Sequence, residues 1–276
     1  MPDPCPSPLA ADRDAEPAGA VAVAHESTDE CAEEREGGSR LASALRVGGL
    51  TRLSTTDYPG KLAAVVFCQG CPWRCGYCHN PHLLEARAGP MRWGEVLAFL
   101  KRRTGLLDAV VFSGGEPLAQ RALADAVRGV RQRGFRVGLH TGGAYPRRLA
   151  QVLPLVDWVG IDVKTSFADY ARITRAGESG DAALRSVRIL LASGVECEFR
   201  TTVHPRQHTP DALVGLAKRL AAMGVRRYVL QEFRRDGCAD PALCDDDTAS
   251  FITEQWCAGI APAFDAFSVR RAYAAA

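Results

Sequence analysis

Short apolar runs alternate with amphipathic segments along the chain from about residue 45 onward. Six of the runs have the length of strands, and they span residues 63–67, 109–113, 136–140, 158–163, 196–203 and 228–232. Between them, apolar side chains recur at helical spacing, as in residues 93–100 and 213–220. This alternation is typical of repeated β-α units around a parallel sheet. The sequence therefore predicts an α/β fold, an incomplete (β/α)6 barrel open on one side, completed by a helix near 247–258 and a strand at 267–270.

The first 44 residues differ from the rest of the chain. They are rich in Ala, Pro, Asp and Glu, and residues 1–40 contain ten acidic residues against three arginines. Because large apolar side chains are almost absent, the segment cannot bury enough surface to offset the entropy of ordering. We therefore predict a disordered extension over residues 1–44 and a single barrel domain over residues 45–276.

Composition excludes several classes of protein. The formal net charge is +2, from 34 basic and 32 acidic residues, which does not indicate a nucleic-acid surface. Neither an apolar run of about 18 residues nor a signal peptide is present, so we expect a cytoplasmic protein without membrane attachment. In that compartment the ten cysteines are expected to be thiols or metal ligands rather than disulfides.

Three cysteines stand close together directly after the first predicted strand. Cys71, Cys75 and Cys78 have the spacing C-x3-C-x2-C in a segment rich in Gly, Pro and aromatic residues. Functional groups in barrels and open parallel sheets gather at the carboxyl ends of strands, so this loop begins where an active site is expected. Three thiolates can converge on one iron-sulfur cluster and leave one of four irons open. The alternative is a zinc site with Cys68 as fourth ligand, but zinc sites usually pair two short units across a longer gap.

Polar residues also end the later strands. Gly114, Gly115 and Glu116 end the second strand, where the glycines allow a ligand to approach the backbone and the carboxylate can meet a cation. On the fourth strand, period-2 alternation places Asp162 and Lys164 on one face, where they bind a polar ligand or form a mutual ion pair.

The cysteine loop, with an aromatic residue before its last cysteine, resembles the signature of the radical S-adenosylmethionine (SAM) superfamily. The resemblance implies a [4Fe-4S] cluster on Cys71, Cys75 and Cys78, with SAM on the fourth iron. Gly114, Gly115 and Glu116 resemble the superfamily motif that binds the amino group of the methionine moiety of SAM.

Four further residues are implied as SAM contacts. In the resemblance, Asp162 and Lys164 contact the ribose and carboxylate of SAM, and Arg200 on the fifth strand reaches the nucleoside or forms a local ion pair. Asn80 matches a Cys-His-Asn element whose Asn approaches the ribose, and it also fits an ordinary Asn-Pro turn. His140 departs from the family pattern Asp-Thr-Asn-Gly, so it either replaces a ribose partner or only caps the third strand.

Residues 48–61 and 68–81 are similar to one branch in particular, the activating proteins of anaerobic ribonucleoside-triphosphate reductase. The similarity covers about residues 47–235. It implies an electron donor of the flavodoxin or ferredoxin type, cleavage of SAM to a 5′-deoxyadenosyl radical, and hydrogen abstraction from a glycine of a partner enzyme. The segment 57–60 is expected near the mouth of the barrel.

Other functions are compatible with the same residues. They are activation of pyruvate formate-lyase or another glycyl radical enzyme, small-molecule radical SAM chemistry as in the deazapurine-forming enzymes, and a non-catalytic iron-sulfur or zinc scaffold. Cys238, Cys244 and Cys257 raise the question of a second cluster. Because their spacing fits no tight ligand motif, we favour ordinary cysteines.

Overall fold

The computed structural model describes residues 41–238, 240–244 and 251–272, which form one eight-stranded sheet with its strands in sequence order. The strands are β1 (Val47–Ser54), β2 (Ala63–Cys68), β3 (Ala109–Gly114), β4 (Arg136–Thr141), β5 (Trp158–Asp162), β6 (Glu196–Val203), β7 (Arg227–Glu232) and β8 (Ala266–Arg270). β1 pairs antiparallel with β2, and β2 to β8 run parallel. Over the described ranges β8 does not pair with β1, so the barrel is open.

Helices follow most of the parallel strands. They are α1 (Trp93–Lys101), α2 (Leu123–Arg131), α3 (Pro146–Val152), α4 (Tyr170–Thr174), α5 (Ser179–Ser193), α6 (Pro210–Ala222) and α7 (Glu254–Ile260). Local signals set their ends: Thr209 caps α6 through the Ala212 N–H, and Gly194, with φ of 72°, ends α5. No helix in the described part of the chain is both long and apolar enough to cross a lipid bilayer.

The two faces of the sheet bury different residues. Along β2, Ala64 and Val66 face outward and pack with the helices, whereas Ala63 and Val65 face the interior of the barrel. Both sets are fully buried, which explains why β2 is a continuous apolar run rather than an alternating one.

The predicted fold class and all six predicted strands are confirmed. The predicted strand at 267–270 is β8, a seventh parallel strand, and α7 overlaps the predicted final helix, of which residues 247–250 lie outside the described residues. β1 was not predicted, because two glycines and a mostly half-exposed surface hide its strand pattern. Gly48 is required there by packing, since a Cβ would lie 2.2 Å from Leu83 Cδ2.

Residues 41–44, which the sequence assigned to the extension, are described by the structure. Residues 1–40 of the predicted extension lie outside the described residues. Ala42–Ala44 forms a 3-10 turn, and the Ala42 side chain is buried in the outer core beside Leu45. Residues 42–45 therefore pack on the barrel, because Ala42 and Leu45 have a core to pack against.

The sequence predicts segment 57–60 near the mouth of the barrel, and this prediction is wrong. The segment joins β1 to the amino end of β2, the opposite edge from the cysteine loop. From there Tyr58 turns into the barrel interior, where it is 4% exposed and stacks on Trp158 with ring centroids 5.4 Å apart. Gly138 leaves the space for it, since a Cβ there would lie 3.1 Å from Tyr58 Cδ1. The segment fills the amino-terminal side of the barrel interior.

Replacing Tyr58 with alanine is expected to lower the free energy of unfolding by about 3–5 kcal/mol, because it empties this interior packing. Urea unfolding of the reduced apoprotein measures the change. Leu53→Ala is the control, because Leu53 is 58% exposed and its truncation should cost about 0.5 kcal/mol or less. Equal losses in the two variants would contradict the role given to Tyr58.

Candidate active site

The loop after β2, residues 69–80, carries the three clustered cysteines and is called the cluster loop. Backbone hydrogen bonds fix it on two sides: Gly70 N donates to Leu83 O at 2.7 Å, and Arg74 N donates to Thr174 O at 2.8 Å. Within it, Cys78 N donates to Cys75 O at 3.1 Å and forms a turn. The loop therefore has a defined shape at the carboxyl edge of the sheet.

The three thiols are half-buried and form no disulfides. Cys75 lies close enough to Cys71 and to Cys78 for their charges to interact. Burial and the nearby Glu116 raise the pKa of Cys71 to about 12, and burial raises the pKa of Cys75 as well. Without a metal, the Cys71 and Cys75 thiols are protonated, so metal ligation would release their protons.

The donor set of the cluster loop is three cysteine thiols, the residue type that ligates iron-sulfur clusters. Over the described residues, no three His, Cys, Asp or Glu side chains are grouped closely enough to hold one metal ion. A [4Fe-4S] cluster distributes its thiolates over separate irons and does not need that grouping. Cys68, the fourth ligand of the zinc alternative, is wholly buried in the outer core. The site thus offers three accessible thiols and leaves one position for another ligand.

The two glycines at the end of β3 allow the cluster loop to lie directly on the sheet. Gly114 has φ of 119°, and a Cβ there would lie 2.3 Å from Cys68 N. A Cβ on Gly115 would lie 2.6 Å from Gly70 O. Any larger residue would displace the loop that carries the cysteines.

Glu116 is 1% exposed and connects the ends of β3 and β4 by hydrogen bonds. Its carboxylate accepts hydrogen bonds from Thr141 Oγ1 at 2.7 Å, Gly142 N at 2.9 Å and Leu118 N at 3.1 Å. Burial raises its pKa in spite of these bonds. In this arrangement the carboxylate joins the ends of β3 and β4, and a contact with SAM stays a prediction.

Asp162 pairs with Arg200 rather than with Lys164. Arg200 Nε donates to Asp162 Oδ1 at 2.8 Å, and Arg200 is 6% exposed. Burial opposes ionisation, but Arg200 and Lys164 hold the pKa of the Asp162 carboxyl below its usual value. Arg200 therefore has the local ion pair that was the alternative to a nucleoside contact, and within the described residues the Asp162–Lys164 pair, the alternative to a polar ligand, is not formed.

Lys164 points instead at the cluster loop. Its Nζ lies 5.8 Å from the ring centroid of Trp73 and 5.7 Å from that of Tyr77. Burial opposes the charge, but the neighbouring Tyr77, Cys75 and Asp162 hold the pKa of the ammonium well above its ordinary value. The described residues place no carboxylate within ion-pair distance of Nζ. The site thus holds a cation without an anion beside the thiols.

A second polar group at this position also lacks a partner. Tyr77 Oη is buried and makes no hydrogen bond within the described residues. Buried hydroxyls normally have a partner, so the missing one is expected to be a bound ligand or water. Together with Lys164, it is consistent with a polar ligand between the cluster loop and the end of β5.

Of the remaining predicted residues, His140 lies in the barrel interior. Burial lowers its pKa to about 3, so it is neutral and donates Nε2–H to Asp57 O at 2.8 Å. It fixes the segment that carries Tyr58. Asn80 precedes the 3-10 turn Pro81–Leu83, as an Asn-Pro turn predicts, and its half-buried side chain has no hydrogen bond within the described residues.

Three residues that shape the site were not predicted from the sequence: Trp73, Gly142 and Gly160. Trp73 packs so closely on the end of β4 that a Cβ on Gly142 would lie 2.4 Å from its ring. Gly160 makes room for Arg200, whose Nη1 would lie 2.8 Å from a Cβ there. The available signal was a glycine inside or at the end of a strand, which marks a close approach by another group.

The comparison with protein families decides the relationship of the chain. The model of the radical SAM superfamily matches residues 65–220, from β2 to the end of α6. The chain belongs to the radical SAM superfamily. Members of this superfamily use a [4Fe-4S] cluster and SAM, which confirms the predicted cofactors.

Curated relatives extend the similarity. A putative glycyl-radical enzyme activating enzyme of Methanocaldococcus jannaschii is 33% identical over 198 residues, which cover 68% of this chain and 79% of that protein. A pyruvate formate-lyase-activating enzyme of Clostridium pasteurianum is 32% identical over 168 residues, which cover 58% of this chain and 69% of that protein. A 7-carboxy-7-deazaguanine synthase of Methanopyrus kandleri is 33% identical over 198 residues, which cover 63% of this chain and 74% of that protein.

Solved structures share the fold. SuiB of Streptococcus suis bound to its precursor peptide SuiA gives a TM-score of 0.56 at 12% identity, covering 75% of this chain. The chain spans less than half of SuiB, 48% of its length. TYW1 with a lysine-pyruvate adduct gives a TM-score of 0.51 at 14% identity, with 86% of this chain and 80% of TYW1 covered.

Proposed function

We propose that this radical SAM enzyme is an activating enzyme that generates a glycyl radical on an anaerobic ribonucleoside-triphosphate reductase. The observation that carries the proposal is the 198-residue similarity to a putative glycyl-radical enzyme activating enzyme. The resemblance of residues 48–61 and 68–81 to one branch of these activating proteins supports the choice of partner. An electron donor of the flavodoxin or ferredoxin type and a cytoplasmic location belong to the same proposal.

The residues of the site support SAM as the ligand. Cys71, Cys75 and Cys78 would hold the cluster, which supplies the electron that cleaves SAM. The Lys164 ammonium, which has no ion-pair partner among the described residues, would receive the carboxylate of SAM, because such a pair forms a charge-assisted hydrogen bond. Trp73 and Tyr77 flank that position and would exclude water from it.

The open side of the barrel supports a polypeptide substrate. Its inner wall on this side carries the ion pair of Arg270 with Glu198, 2.7 Å between Nη2 and Oε1, beside that of Arg200 with Asp162. β8 forms the free edge. A polar wall next to an opening suits the backbone of an entering loop better than an apolar ligand.

Activation of pyruvate formate-lyase is the second candidate, favoured by the 32% identity to the activating enzyme of Clostridium pasteurianum. Small-molecule chemistry is the third, favoured by the 33% identity to the deazaguanine synthase. The three candidates share the cluster and SAM and differ only in what donates the hydrogen atom.

The test uses anaerobically reconstituted protein with dithionite. We expect 5′-deoxyadenosine to form from SAM, and its absence with an intact cluster would contradict the radical SAM activity. The protein is then mixed separately with anaerobic ribonucleotide reductase and pyruvate formate-lyase. An electron paramagnetic resonance doublet of a glycyl radical is expected with the reductase. A doublet only with pyruvate formate-lyase would replace the first candidate by the second, and a doublet with neither would contradict both.

A further inference from the structure

Two cysteines outside the cluster loop lie side by side. Cys238 Sγ and Cys244 Sγ each lie 3.6 Å from the same atom, Asp240 O. Both are reduced and half-buried. Cys257, the third cysteine of this region of the sequence, lies on α7 against the outer core, so the structure presents a pair of thiols.

The pair belongs to a segment that covers the cluster loop, residues 233–238 and 240–244, here called the covering loop. Cys238 Sγ lies 3.6 Å from Gly76 O, between two of the cluster cysteines. A Cβ on Gly76 would lie 3.5 Å from Leu243 Cδ1, so the two loops are in van der Waals contact. Phe233 and Leu243 form one apolar cluster with Tyr77, against which Cys75 packs.

Further contacts hold the covering loop in place. The His79 ring Nε2 lies 2.8 Å from Arg234 O, and a Cβ on Gly237 would lie 2.5 Å from His79 O. On the other side, His204 Nε2 lies 2.8 Å from Leu243 O. With so little free space, a change in the covering loop must alter its contact with the cluster loop.

We propose that Cys238 and Cys244 are a reversible disulfide site, and that closing the disulfide loosens the covering loop from the cluster loop. The spacing C-x5-C within one loop and the shared contact of both sulfurs with Asp240 O place the two thiols near each other, as a disulfide requires. The contact with Gly76 depends on an S–H donor, which a disulfide sulfur lacks. Oxidation therefore removes one of the hydrogen bonds that join the two loops.

The oxidant is a low-molecular-weight disulfide. One cysteine thiolate attacks a sulfur of the reagent, whose S–S bond breaks and releases one thiolate. The second cysteine attacks the mixed disulfide and releases the other thiolate. Two electrons pass to the reagent, and the two cysteine protons end on its thiols. Burial raises the pKa of Cys238, so the thiolate fraction at neutral pH is small and the exchange is slow.

The experiment treats anaerobic holoenzyme with oxidised glutathione, alkylates the remaining thiols and maps peptides by mass spectrometry. We expect a direct link between Cys238 and Cys244 that dithiothreitol reverses. The link should persist in Cys257→Ala and be absent in Cys238→Ser and Cys244→Ser. Mixed glutathione adducts without the direct link, or links to other cysteines only, would overturn the disulfide site.

Iron release to a chelator tests the effect on the cluster loop without measuring activity. After oxidation the wild-type protein should release iron about two- to fivefold faster, because one weak hydrogen bond between the loops is lost. The two serine variants cannot close the disulfide, and oxidised glutathione should not change their rates beyond any direct damage to the cluster. An equal acceleration in wild type and variants would overturn the coupling, whichever partner enzyme the protein activates.

Discussion

Replacing Cys75 with alanine is expected to abolish cluster binding, whereas replacing Cys68 with alanine is expected to leave it intact. Cys75 is half-buried in the cluster loop and lies between the other two accessible thiols. Removing one of three ligands leaves two irons without protein thiolates. Cys68 is fully buried on β2 and packs in the outer core. Its truncation creates a small cavity and should lower the free energy of unfolding by about 1–2 kcal/mol.

Iron and sulfide content after anaerobic reconstitution measures the first effect. Cys75→Ala should stay colourless and form no 5′-deoxyadenosine, while Cys68→Ala should become brown and retain SAM cleavage. Equal loss of metal in both variants would indicate a four-cysteine site of the zinc type. Cys71→Ala and Cys78→Ala are expected to behave as Cys75→Ala, because all three thiols are needed together.

The cluster loop could be predicted because its information is local. Three cysteines in ten residues after an apolar strand define ligand number and position without knowledge of the rest of the fold. The parallel strands were predictable for a similar reason, since strands buried on both faces are continuous apolar runs. β1 has neither signal, and its place is set by antiparallel pairing with β2.

The partners of the charged residues were not predictable, because they depend on strand register. Asp162 on β5 is directly opposite Arg200 on β6, 38 residues later in the chain. Period-2 alternation indicated that Asp162 and Lys164 share a face, but not that Arg200 would take the carboxylate. Similarly, Glu116 suggested a cation site, whereas its donors come from the end of the neighbouring strand. Pairing across strands therefore leaves Lys164 without an ion-pair partner among the described residues.

Because Asp162 pairs with Arg200 and not with Lys164, we expect Lys164→Met to weaken SAM binding without loss of stability. If the ammonium receives the carboxylate of SAM, its removal should raise Kd about ten- to a hundredfold, the contribution of one charge-assisted hydrogen bond. Methionine has a similar length and can stay between the Trp73 and Tyr77 rings. Because the substitution breaks no ion pair among the described residues, the free energy of unfolding should change by less than about 1 kcal/mol.

Anaerobic calorimetry of SAM binding to the reconstituted, unreduced holoenzyme measures Kd, and urea unfolding of the apoprotein measures stability. Lys101→Met, an exposed position on α1, is the matched control and should change neither quantity. Unchanged Kd with lower stability would mean that Lys164 only packs against the aromatic rings. Weaker binding at unchanged stability would show that Lys164 binds the ligand and does not hold the fold together. Asp162 and Arg200 would then have the structural role, because they neutralise each other within the sheet.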